Sequence, residues 1–420
     1  MYYPKAHANN NKVTNYNSVK LRGKILFLFL FFLFVLTSCA KRDNVNLNSV
    51  AVDEMKNEEA AAKIDPIRVR AAEIAASLDD RLLAAQVLIC GIDGKGSLPP
   101  HMKTLLSEHP PGGVMLFKYN LDSENDAIRA LIAETESLIT DESGFPPFIA
   151  VDHEGGTVNR FRRGVASMPA ASSYWELFLA EGEQQALLKI TIDSIRAGLE
   201  IKSLGFNMNF APVAEYLNDN NRGFLESRSY GPVQSFTAEA AAAFVRGMKQ
   251  SDVLCVIKHF PGSAGNDPHY SSSTLNADKF ELGRLVYPFA FLIDNGARAV
   301  MVAHTLVPAI DDKIASLSSV VMQNWLREEL GFDGIIISDD FIMAAAAGNY
   351  SPEEAAVLSV AAGADMVLAW PSNLSRTHRS FVSALEDGRL PRERLLDAAQ
   401  RVIYEKLKMG LIREDLPRSY

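Results

Sequence analysis

The chain has 420 residues, 48% of them hydrophobic and 22% charged, an ordinary balance for a soluble globular protein with room for one large domain or two small ones. Its 42 basic and 51 acidic side chains leave a formal net charge of −9, which does not favour a nucleic-acid partner. Three cysteines are too few for a disulfide framework, and no Cys/His cluster has zinc-site spacing, so neither metal nor cofactor is expected.

At the amino terminus, Lys20, Arg22 and Lys24 precede the apolar run ILFLFLFFLFVL, residues 25–36, followed by TSCAKRDN. Twelve apolar residues are too few to span a bilayer and suit a signal-peptide core. Leu36-Thr37-Ser38-Cys39 resembles the bacterial lipobox, in which the cysteine is acylated and becomes the first residue. Residues 1–38 are therefore expected to be a lipoprotein signal, with Cys39 lipidated, and the protein to sit at the cell envelope on a membrane through its lipid. Removing them takes away five cations and no acid, so the charge moves from −9 to −14. Residues 39–64, polar and rich in Asn and Glu, read as a tether. Cys90 and Cys255 lie inside apolar runs and read as packed thiols.

From residue 65 onward, short apolar runs alternate with helical patterns. The runs are QVLIC at 86, GGVMLF at 112, PPFIAVD at 146, FNMNFAPV at 206, VLCVIKHF at 253, AVMVAH at 299, GIIISDD at 334 and ADMVLA at 364. Most are apolar on both faces, as parallel strands covered by helices are. Between them, SENDAIRALIAETESLI has Ser123 as its expected cap, and SFTAEAAAAFVRGMKQ and SVVMQNWLREELG share the 3.6-residue period, the second stopping at a Gly. RERLLDAAQRVIYEKLKMG reads as the final helix. Eight strands alternating with helices predict an α/β fold, a (β/α)8 TIM-type barrel over residues 65–420 as a single catalytic domain.

In such a barrel the active site lies at the carboxyl ends of the strands. The polar residues that end the runs are Asp152, Glu215, Lys258, His259, His304 and Asp339, and their clustering on several strands marks a polar pocket. Alternation sends Asp339 and Asp340 to opposite sides, so only one of them is expected to face the barrel mouth.

AVDHEGGTVNRF (150–161), LGFNMNFAPVAEY (204–216), ESRSYG (226–231), KHFPG (258–262) and LREELGFDGIIISDD (326–340) resemble, in order, the motifs of glycoside hydrolase family 3, and most nearly its single-domain β-N-acetylglucosaminidases. The resemblance implies a barrel that removes non-reducing-end N-acetylglucosamine from a β-linked glycan by a retaining mechanism, with no obligate protein partner. It implies Asp339 as nucleophile, since retention needs a carboxylate that attacks the anomeric carbon and leaves again. It implies His269 as general acid/base, paired with Asp267 in the D-x-H of NDPHY. In an extended segment these two point to the same side, so the carboxylate can hold one ring nitrogen while the other faces the glycosidic oxygen. Asp152, Arg160, Arg228, Lys258 and His259 match the substrate-binding residues; the Lys258 ammonium would also favour an ionised Asp339.

The chain departs from the family pattern at two places. SAGN follows KHFPG where His-Gly and a longer arm are usual, and Thr157 stands where arginine is usual. Three functions follow as expectations. The first is an exo-β-N-acetylglucosaminidase acting on peptidoglycan-derived or related fragments. The second is a β-glucosidase or β-xylosidase of the same family, which the histidine loop and a chain ending with its barrel count against. The third is a sugar-binding lipoprotein with impaired catalysis.

Overall fold

The computed structural model describes residues 65–161, 165–265, 273–342 and 350–412, all within the compact unit Asp65–Tyr420. Cys39, with the expected signal and tether, lies outside the described residues, as do Asp267 and His269. Eight parallel strands form one sheet: β1 Leu88–Gly91, β2 Gly113–Leu116, β3 Phe148–Val151, β4 Met208–Asn209, β5 Leu254–Phe260, β6 Ala299–Val302, β7 Ile335–Ser338 and β8 Val367–Ala369. Seven fall within the eight apolar runs, and β1 extends one residue past its run, to Gly91. The order β7-β6-β5-β4-β3-β2-β1-β8 leaves β7 and β8 at the two ends, and a parallel bridge between Ile337 and Met366 closes the circle. The expected (β/α)8 barrel holds.

The seam between β7 and β8 has one bridge, and a buried carboxylate reinforces it. Asp365 accepts the Ile336 amide at 2.8 Å and is paired with Arg327 and Arg394. The two-residue β4 is extended in a similar way by side-chain amides: Asn207 Oδ1 accepts the Ile149 amide, and Asn209 clamps the His153 backbone through both its oxygen and its nitrogen. These groups supply rungs that so short a strand lacks, which keeps buried backbone polar groups paired.

Alternation divides each strand between two cores. Ile89, Met115, Phe148, Ala150, Met208, Phe210, Val256, Ala299, Met301, Ile335, Ile337 and Met366 fill the barrel interior, while Leu88, Cys90, Val114, Leu116, Ile149 and Val151 face the surrounding helices. Both Cys90 and Cys255 are free, buried thiols whose pKa burial raises. Among the helices, Asn125–Ser143 starts one residue later than the expected cap allows, with Glu124 rather than Ser123 at the cap position. Val320–Glu329 winds with wide i→i+5 turns and stops at Gly331, whose φ of +65° suits glycine. The final helix, Arg392–Lys408, closes the amino-terminal end of the barrel: Val402, Met409 and Leu411 pack on the interior cluster.

Candidate active site

The same parity that fills the interior builds the site above it. Continuing two residues beyond Ala150, Val256 and Ile337 brings Asp152, Lys258 and Asp339 to the inner face at the carboxyl end. All three line an open cavity of about 530 Å³, within the range of small-ligand sites. A further step of two from Asp152 adds Glu154, on the hairpin His153–Gly155/Val158–Asn159. The turn of that hairpin needs glycine: at Gly155, φ +96°, a Cβ would lie 2.3 Å from the Pro169 carbonyl oxygen.

One wall of the cavity is a lattice of fixed charge. Lys258, buried, donates to Asp152 Oδ1 at 2.8 Å and lies 2.6 Å from Glu154 Oε1. Arg228 grips Glu154 with both Nε, at 2.8 Å, and Nη2, at 2.9 Å, and Arg160 reaches Asp152 Oδ2 at 3.3 Å. Burial works against each of the inner charges, and the partners overcome it. Asp152 and Glu154 raise the Lys258 pKa above the usual lysine value; Lys258 and Arg228 hold the Glu154 carboxyl far below the usual range. Three cations against two carboxylates leave one excess positive charge beside the nucleophile candidate.

His259 completes this wall. Its Nδ1 lies 2.7 Å from Glu215 Oε1, and the same glutamate accepts the Ser263 amide and hydroxyl. Glu215 is 2% exposed and lies behind the cavity, so it orients His259 rather than meeting a ligand.

Asp339 stands between this wall and an aromatic one. Its amide donates to Val302 of β6 at 3.2 Å, and its Oδ1 accepts the Asp340 amide at 2.9 Å. Burial alone would raise its pKa, but the His304 and His259 rings, the Asp340 amide and the Lys258 ammonium outweigh it and hold the carboxyl below the usual aspartate range. His304 is itself buried, which lowers its pKa and leaves a neutral ring at pH 7. With Nε2 3.1 Å from the Asp340 carbonyl oxygen and Nδ1 2.7 Å from Ser316 Oγ, that ring donates through Nε2 and accepts through Nδ1. Among the groups that support Asp339, the Lys258 ammonium is the one whose charge two carboxylates fix.

Asp340 also lines the cavity, against the expectation that only one of the pair would. The strand ends at Ser338, so strict alternation no longer governs residue 340. Its carboxylate is already engaged, accepting Trp370 Nε1 at 2.6 Å and the Ile342 amide at 2.9 Å, and burial raises its pKa. Two neighbouring acids thus differ in availability: Asp339 is kept ionised, and Asp340 is occupied as a brace.

Known proteins resemble this chain in sequence and in fold. The model of the glycosyl hydrolase family 3 N-terminal domain matches residues 85–404. The chain belongs to glycosyl hydrolase family 3. A beta-hexosaminidase of Methylococcus capsulatus is 36% identical over 288 residues, 66% of this chain and 81% of that protein. One from Hydrogenovibrio crunogenus is 33% identical over 275 residues, 65% of this chain and 75% of its own length. Among solved structures, a family 3 beta-N-acetylglucosaminidase from Paenibacillus superposes with a TM-score of 0.74 and 30% identity over 80% of this chain, which spans 63% of that longer protein. The beta-N-acetylhexosaminidase of Beutenbergia cavernae gives 0.71 and 28%, over 79% of this chain and 99% of that one.

As a family 3 glycoside hydrolase, the chain brings Asp152, Arg160, Arg228, Lys258, His259 and Asp339 to one cavity. Glu215 and His304 support residues of that cavity from behind. Thr157 is exposed in the hairpin turn and does not line it, so the place of the missing arginine lies outside the charge lattice. Sequence reading passed over Glu154, Phe117 and Trp370. Glu154 was signalled by its i+2 spacing from Asp152, and the two aromatics by their position directly after β2 and β8. Among the described residues no group of three or more His, Cys, Asp or Glu side chains is arranged to hold a metal ion.

Proposed function

We propose that this glycoside hydrolase is an exo-acting β-N-acetylglucosaminidase that works with retention, its substrates peptidoglycan-derived or related β-linked glycans. The observation that carries the reading is Asp339: an available carboxylate, held ionised, lining a sugar-sized cavity whose facing wall presents fixed charges to hydroxyl groups. The names of the hexosaminidase relatives support N-acetylglucosamine as the sugar.

In the first step Asp339 attacks the anomeric carbon as the glycosidic C–O bond breaks, and the departing oxygen takes a proton from His269, the acid/base assigned from the D-x-H motif. In the second, a water gives a proton to His269 and displaces Asp339 from the glycosyl ester, restoring both groups. Asp267 orients and charges the imidazole. Turnover of 4-nitrophenyl N-acetyl-β-glucosaminide against the matching β-glucoside tests the sugar, and a preference for the first of at least about tenfold is expected. The opposite preference would make this a β-glucosidase; turnover of neither would leave a sugar-binding protein.

We further propose a lipid anchor at Cys39, which the apolar run 25–36 and the Leu-Thr-Ser-Cys sequence support. Among the described residues no helix is long and apolar enough to cross a membrane. Wild-type protein found wholly soluble after loss of residues 1–38, with Cys39→Ala behaving identically, would contradict the anchor.

A further inference from the structure

Another wall of the cavity is aromatic, and the hydrolytic reading leaves it without a task. Phe117 and Trp370 follow β2 and β8 on the inner parity, and both line the cavity. Their rings stack at 4.6 Å between centroids and 14° between planes. Tyr119 lies against Phe117 at 6.0 Å and 12°, with its hydroxyl donated to the Ile92 carbonyl at 2.7 Å. Gly91, at the inner position that ends β1, makes room for the pair: a Cβ there would sit 3.0 Å from Phe117 Cε2 and 3.5 Å from Trp370 Cε3.

Trp370 is fixed from three directions. Phe117 covers one face, Asp340 accepts its Nε1 proton at 2.6 Å, and its amide donates to the buried Asn373 Oδ1 at 2.8 Å. An indole held this firmly in a cavity is pre-organised for a flat apolar partner, because its ordering does not have to be met on binding. Its place in the sheet says which partner. β8 is the neighbour of β7, which carries Asp339, whereas the charge lattice stands on β3 and β5. A sugar whose hydroxyls meet the lattice and whose anomeric carbon meets Asp339 therefore has its anomeric end on the β7 side of the cavity, beside β8.

We propose that the Trp370 indole, backed by Phe117, is the platform for the leaving part of the substrate, and that it takes a pyranose ring by its flat C–H face in preference to a small alkyl group. The proposal rests on the glycosidase reading and deepens it: the preferred aglycone is itself a sugar. Trp370 acts here through binding, and its bond to Asp340 is a separate, positioning contribution.

The test compares kcat/KM for methyl N-acetyl-β-glucosaminide and for the β-1,4-linked disaccharide of N-acetylglucosamine, in wild type, Trp370→Ala and Trp370→Phe. The two leaving groups differ in basicity by the same amount in every variant, so the change in the ratio on substitution reads the platform. Wild type should favour the disaccharide. Trp370→Ala should lose about threefold to tenfold more on the disaccharide than on the methyl glycoside, the worth of one aromatic stacking contact. Trp370→Phe, which keeps a ring but no N–H, should retain most of the preference while sharing any loss common to both substrates. Equal losses on the two substrates in Trp370→Ala, or a preference abolished as fully by Phe as by Ala, would overturn the platform. Failure of wild type to hydrolyse either substrate would instead overturn the glycosidase reading beneath it.

Discussion

Two lysines are buried in this barrel, one at each end, and they have opposite environments. Lys258, 3% exposed, closes β5 at the carboxyl end between two carboxylates, Asp152 and Glu154, which raise its pKa despite burial. Lys406, fully buried on the final helix, meets the Gln86 side-chain oxygen at 2.9 Å and lies 5.4 Å from the centre of the Phe148 ring; burial lowers its pKa to about 7. Gln86 stands two residues before β1, and Phe148 begins β3, so this second lysine belongs to the amino-terminal floor. The difference is that a buried charge persists only where opposite charge surrounds it. At the carboxyl end that persistence helps to keep Asp339 ionised, as the proposed nucleophile must be; at the floor the lysine acts as a hydrogen-bonding core residue. This division follows the usual one for such barrels, with chemistry at one end and stability at the other.

Four changes would break or sharpen that contrast. Asp339→Asn removes the group that the upper lysine supports, and kcat/KM should fall at least about a thousandfold, on the order of 4 kcal/mol of transition-state stabilisation. Near-normal turnover would move the nucleophile elsewhere. Lys258→Met leaves Glu154 to Arg228 and Asp152 to Arg160, so denaturant unfolding should show a loss of about 2 kcal/mol, the worth of a buried charged hydrogen bond, alongside lost activity. If stability were unchanged, the lattice would not be the staple described.

The floor lysine predicts a pH dependence. Between its folded pKa of about 7 and the ordinary lysine value, the unfolded chain holds a proton that the folded chain has released. Stability therefore rises with pH through that window, by about 2 kcal/mol from pH 7 to pH 9, and is insensitive to this group below pH 7. In Lys406→Met that portion of the slope should vanish while kcat/KM stays within about twofold of wild type; an unchanged slope would contradict the assignment. The smallest effect belongs to Asp340→Asn. Asparagine keeps one of the two accepting oxygens, so loss of either the Trp370 or the Ile342 bond should lower kcat/KM by about tenfold or less, equivalent to about 1.4 kcal/mol, because the residue braces rather than reacts.

Much of this was legible in the sequence because parallel strands covered on both faces read as continuous apolar runs, and each of the eight runs overlaps a strand. The polar residue after such a run was a sound guide to Asp152, Lys258 and Asp339, whose inner parity continues from Ala150, Val256 and Ile337. Parity failed at Asp340, since it applies only while the strand lasts. Collecting polar residues alone also hid Phe117 and Trp370, which occupy the same strand-end positions with aromatic rings. Glu215 and His304 drew attention as strand-end groups, yet their roles depend on tertiary neighbours, His259 for one and Asp340 with Ser316 for the other, which no local pattern reveals. Ser123 was a reasonable cap in composition but stands one residue outside the cap position.

The central claim is that Asp339, kept ionised with the help of Lys258, forms a covalent bond to an N-acetylglucosaminyl residue. Incubation with a 5-fluoro-N-acetylglucosaminyl fluoride, followed by protease digestion and mass mapping, tests sugar, mechanism and nucleophile in one measurement. The prediction is time-dependent inactivation with a single label on Asp339, absent in Asp339→Asn. A label on Asp340 or another residue, or turnover with inversion and no covalent adduct, would contradict it.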